Sequence, residues 1–125
     1  METVDDDFFA QCAALDGAAL GEGEFSPGPA LWVGTREVAH VDHDGVLDVR
    51  LTRRVVREQR PALRADPRVH LRANASDWIS IQVVDEADHG WALGLIELAV
   101  AANLPTATPG LPPEVTDLAR RRRFH

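Results

Sequence analysis

A chain of 125 residues has room for one hydrophobic core, and its formal net charge of −7 disfavours non-specific binding to nucleic acid. Hydrophobic residues at 45% and charged residues at 26% exclude global disorder, and no apolar stretch approaches the roughly 18 residues a membrane span needs. A single cysteine, Cys12, excludes an internal disulfide and a multi-cysteine zinc site, and the absence of lysine excludes Schiff-base or phosphate-loop lysine chemistry.

The acidic opening, Met1 to Asp7, has neither the basic start nor the apolar run of a secretory signal, which predicts a cytoplasmic protein. Asp5 to Asp7 followed by Phe8, Phe9, Cys12 and Leu15 predicts a first helix with acids in its opening turn and Cys12 in its core stripe. Glycines and prolines from Gly17 to Pro29 then predict a long loop. Extended structure is expected at Leu31 to Val33, with a break at Gly34, and again at Arg36 to Asp42.

His43-Asp44-Gly45 separates two alternating segments and predicts a β-hairpin. A three-residue loop with Gly45 left-handed pairs Asp42 with Val46 and His40 with Asp48. It places Ala39, Val41, Leu47, Val49 and Leu51 on one face, and Val38, His40, Asp42, Asp48 and Arg50 on the other. Two- or four-residue loops would set His40 beside Leu47 and Val49, so segregation of the faces favours the three-residue loop. In this register Glu37 lies on the apolar side, and a joint site with His40 requires a bulge or a sheet rim.

Thr52 is expected to cap a helix from Arg53 to about Leu63, with Val55, Val56, Ala62 and Leu63 inward, arginines outward and Pro61 breaking or kinking its second half. Val69 to Ala73 and Trp78 to Val84 predict two more strands. Asp85 is expected to cap a helix from Glu86 to Ala102, with Trp91, Leu95, Leu98 and Ala102 along its inner stripe, widened by Ile96 and Ala99. Gly90 and Gly94 are expected to allow close packing on a sheet. Residues 1–104 thus predict one α+β domain, a mostly antiparallel two-layer sheet of two hairpins with helices packed on one face. Residues 105–125, with Pro105, Pro109, Pro112 and Pro113 followed by Arg120 to Arg123, predict a linker and a short basic tail or helix.

The polar hairpin face carries the candidate chemistry. A histidine oriented by a carboxylate has what a general base needs, so His40 with Asp48 or Asp42 is the candidate catalytic group. Imidazole with carboxylates also suits a divalent ion, although no motif calls for a metal or another cofactor. The competing reading is a cross-strand His–Asp pair that only stabilises the sheet. Ser80, in mid-strand, and Cys12, in a core stripe, have no nucleophile's setting. His70 and His89 are expected at the surface or at a helix cap.

The stretch Gly34-Thr-Arg-Glu37-Val-Ala-His40-Val-Asp42, then Asp44-Gly45-Val-Leu-Asp48-Val-Arg-Leu51, resembles the opening of a small bacterial domain of the luciferase family. Asp77-Trp78-Ile79-Ser80-Ile81 and Trp91 to Asn103 resemble its later parts, so the similarity spans about residues 28–103. The resemblance implies no particular reaction, and no flavin or nucleotide motif here supports light emission. It does imply a Glu-x-x-His in the first hairpin strand, matched by Glu37 and His40. A second histidine near the turn is replaced by Asp42, with His43 one place on. Glu37, His43, Arg50 and Trp78 are accordingly the candidates for ligand contact. The expected function is a non-catalytic accessory or binding module for a protein or small ligand, without specific nucleic-acid or membrane partners. The alternative is a small acid/base or metal-assisted enzyme using His40 with Asp48 or Asp42.

Overall fold

The hairpin around Gly45 lies in the middle of a six-stranded antiparallel sheet. The computed structural model describes residues 6–24, 28–42 and 45–105. In chain order these form α1 (Asp6–Ala13), β1 (Ala19–Glu22), β2 (Pro29–Val33), β3 (Arg36–Val41), β4 (Leu47–Arg50), α2 (Arg53–Ala65), β5 (Val69–Leu71) and β6 (Trp78–Ile81). A short 3-10 turn (Glu86–Asp88) then leads into α3 (His89–Asn103). The strands lie in the order β1-β2-β3-β4-β6-β5, with every adjacent pair antiparallel. The expected linker and tail beyond residue 105, like His43 and Asp44, fall outside the described residues.

Alternation of side chains turns one face of this sheet into the core. Leu31, Ala39, Leu47, Val49, Ile79 and Ile81 are fully buried and meet Phe8, Phe9 and Cys12 of α1, Val55, Val56 and Leu63 of α2, and Ala92, Ile96, Ala99 and Val100 of α3. Burial pushes the Cys12 thiol up to about 12, consistent with an inert apolar filler. On the opposite face, successive register pairs set Gly21, Ala30, His40, Asp48, Ser80 and His70 in one row across all six strands.

Several features depart from what the sequence predicts. The glycine-rich connection contains β1, whose pairing with β2 adds an edge strand where a loop is expected. Helix α2 runs unbroken through Pro61 to Ala65. The carbonyl that Pro61 leaves without a donor belongs to Arg57, both residues are exposed, and buried Leu63 anchors the far half on the core. Asp85 caps the 3-10 turn, accepting from the Ala87 N–H at 3.0 Å, and α3 begins only at His89. The stripe of α3 is centred on Ala92, Ile96, Ala99 and Val100, while Trp91 turns aside to stack under the Arg68 guanidinium at 3.6 Å. Gly90 and Gly94 are exposed, and a Cβ on either would meet nothing within 4 Å, so close packing is not their role.

Two turns fix the hairpin and the start of α2. Gly45 has φ of 80° and donates to the Asp42 carbonyl at 3.0 Å, while Asp42 N–H donates to the Val46 carbonyl at 2.9 Å, the geometry of the three-residue loop. Thr52, at φ 79°, is the one positive-φ residue other than glycine among the described residues, a conformation strained for a β-branched side chain. Its own N–H donates to the Asp77 carbonyl, and the next amide, Arg53 N–H, donates to the Asp77 carboxylate at 2.7 Å. Thr52 Oγ1 accepts from the Val55 N–H at 3.4 Å, as a capping residue does.

Candidate functional site: a carboxylate–imidazole–carboxylate network

A bulge in β3 builds the site. Between Leu31↔Ala39 and Trp32↔Glu37 the partner strand advances by one residue and β3 by two, leaving Val38 extra. An unbroken strand would put Glu37 and His40 on opposite faces. The bulge turns Val38 into the apolar core, fully buried, and brings Glu37 round to His40. Glu37 is 1% exposed, His40 7% and Asp48 8%, in a place no purely apolar packing explains.

The imidazole lies between two carboxylates. His40 Nε2 is 3.1 Å from Asp48 Oδ2, across the β3–β4 register pair, and Nδ1 is 3.3 Å from Glu37 Oε1. The outer oxygens are also engaged. Glu24 N–H donates to Glu37 Oε2 at 3.0 Å, Ser80 Oγ–H donates to Asp48 Oδ1 at 2.7 Å, and Arg72 approaches that oxygen at 3.4 Å. The hydrogen bond to Asp48 raises the His40 pKa above its ordinary 6.5; burial opposes this, and the charges of Asp48, Glu37 and Asp42 reinforce it. Burial by itself would raise Asp48, yet the hydrogen bonds from His40 and Ser80 and the charges of His40 and Arg72 outweigh it and hold Asp48 below 3.8. The arrangement favours the protonated form of His40 and the ionised form of Asp48.

Side chains rather than a helix cover this network. The Trp78 ring lies 5.0 Å from the His40 ring, and Arg50, directly across from Trp78 in the sheet, stacks on it at 5.8 Å. Arg50 also reaches Asp77 at 3.5 Å. Arg50 and Trp78 therefore roof the network, and each remains partly exposed.

The sequence candidates are distributed as follows. His40, Asp48 and Glu37 converge. The Asp42 carboxylate accepts from the Val46 N–H at 3.0 Å and closes the hairpin, and its charge adds to the rise in the His40 pKa. His43 lies outside the described residues. Sequence reasoning missed Ser80 and Arg72 as partners of Asp48, because they arrive through the β4–β6–β5 order, which no local pattern announces. His70 is exposed, and the His89 ring lies 5.2 Å from that of Phe8.

The chemistry open to this group is constrained. Ser80 donates to Asp48, a carboxylate held a weaker base than usual, and not to the histidine, so it lacks the imidazole base of an activated serine. Among the described residues, no group of three or more His, Cys, Asp or Glu side chains is arranged to hold a metal ion. No helix among them is long and apolar enough to cross a membrane.

An open antiparallel sheet, with helices on one face and a buried histidine–carboxylate network on the other, defines the class: an α+β domain organised round a polar sheet face. The chain belongs to the Luciferase domain family, whose model matches residues 35–99. That span runs from the β2–β3 turn into α3 and contains Glu37, His40, Asp48, Arg72, Trp78 and Ser80. No curated protein and no solved structure matches the chain.

Proposed function

We propose that the protein is a cytoplasmic, non-catalytic accessory module that receives a small ligand on the polar face of its sheet, over Trp78 and Arg50. The observation that carries this reading is the placement of both His40 ring nitrogens against carboxylates, at 3.1 and 3.3 Å. A general base must turn a free nitrogen toward substrate. Here the imidazole with its carboxylates instead ties β3, β4 and the start of the β1–β2 connection into a rigid floor, with an indole and a guanidinium above it for a ligand to meet.

Amide shift mapping against a fragment library tests the reading. Hits are expected to move the amides of Asp48 to Arg50 and Trp78 to Ser80, together with the Trp78 indole N–H, and to be recovered chemically unchanged. Hits confined to other surfaces would overturn it. A second reading, with His40 as a general acid, is favoured by the Asp48 hydrogen bond that holds its proton. It expects a compound that the wild type converts and a folded His40→Gln variant leaves intact.

A further inference from the structure

A second candidate site lies away from the His40 network, where the β2–β3 turn, the start of α2 and the end of α3 meet. They border a half-open hollow of about 470 Å³, within the range of small-molecule sites. Thr35, Arg36, Thr52, Arg54 and Asn103 supply its polar lining, and among the described residues that lining contains two guanidinium groups and no carboxylate.

These charges are held differently from that of Arg68. Arg68 is satisfied within the fold, by Asp66 at 2.7 Å and Asp88 at 2.8 Å. Arg36 is instead aimed by a neutral group: its Nη1 donates to Asn103 Oδ1 at 3.4 Å. Asn103 is itself buried and pinned, its Nδ2 donating to the carbonyls of Arg50 at 2.8 Å and Ala99 at 2.7 Å. The amide thus orients the guanidinium without neutralising it. Arg54 has only a loose, exposed approach to Glu58 at 3.7 Å along the helix. Thr52 Oγ1 accepts from Val55 N–H, which leaves its O–H to donate. In a chain of net charge −7, this is a locally cationic, donor-rich recess. Val33 and Leu104 add apolar wall beside the charges.

We propose that this hollow binds an oxyanion, a carboxylate or phosphate carried on a small, partly apolar molecule, gripped by Arg36 and Arg54. Planar guanidinium forks match either oxyanion in two-point geometry, and the apolar wall accommodates the remainder of the ligand. The site is independent of the polar sheet face and stands or falls without it.

The test is a titration of the full chain with phenyl phosphate, benzoate and neutral benzyl alcohol, following the arginine Nε–H signals and the Ala102 and Asn103 amides by NMR. Saturable shifts with at least one anion, and none with benzyl alcohol, are expected. Response to phosphate alone or carboxylate alone supports the site and names its group. Arg36→Gln and Arg54→Gln should each weaken binding about tenfold or more, as loss of a charge-assisted contact does. Arg57→Gln, exposed on the same helix outside the hollow, should change it less than about twofold, in the range of screened surface charge. Both hollow arginines are exposed, so their variants should melt with the wild type, and Arg54→Gln alone decides the matter should Arg36→Gln disturb Asn103. Equal weakening by Arg57→Gln, saturation by benzyl alcohol, or no saturable response to either anion would each overturn the proposal.

Discussion

Both faces of this sheet hold buried side chains, by opposite means. On the helical side Leu47, Val49, Ile79 and Ile81 are fully covered by apolar residues of three helices, and removal from water accounts for their place. On the other side Glu37, His40 and Asp48 reach almost the same burial beneath Trp78, Arg50 and Arg72, held there by mutual charge and hydrogen bonding. The first means is indifferent to pH and tolerant of hydrophobic exchange. The second depends on protonation, and loss of either partner leaves a buried charge without its counter-ion. Placing Glu37, His40 and Asp48 inside one face carries a desolvation cost that apolar residues would avoid.

Substitutions on the two faces break the comparison apart. Ile79→Ala should have the largest effect, about 4 kcal/mol, since it removes buried methylenes and leaves a cavity in the middle of the sheet. Its loss in denaturant melts should be the same at pH 5 and pH 9. Asp48→Asn should cost about 3 kcal/mol, the scale of a broken buried pair, and its cost should vary with pH. His40 is raised above its unfolded 6.5, so its contribution is complete below 6.5 and fades as pH climbs through the folded value. Asp48 is lowered beneath 3.8, so its contribution is complete above 3.8 and fades as pH falls through the folded value. The gap between wild type and Asp48→Asn should therefore be widest between those two values and narrow on either side. A gap as flat as that of Ile79→Ala would show that the polar face is held by packing alone.

How much of this was legible in the sequence follows from the range of the interactions. The hairpin was readable because Gly45 supplies the left-handed turn position and the flanking strands alternate, so local chemistry sets the register that puts His40 opposite Asp48. The bulge was not. Val38 gives no glycine-like signal, and only the pairing with β2 reveals it as the extra residue, so Glu37 could be linked to His40 by resemblance but not by strand geometry. Strand β1, Ala-Leu-Gly-Glu, lacks the β-branched and aromatic residues of a strand and forms because β2 offers an edge. Ser80 and Arg72 sit 32 and 24 positions beyond Asp48, too far for any local pattern to join them to it.

The central claim is that His40 is an imidazolium locked between Glu37 and Asp48, and imidazole nitrogen NMR tests it most directly. On titration of the wild-type protein, the His40 ring should be more than half protonated at pH 6.5, with both nitrogens carrying hydrogen, and it should lose its proton only at higher pH. A His40 ring mostly neutral at pH 6.5, with one nitrogen free of hydrogen, would contradict the account and return His40 to the position of an available base.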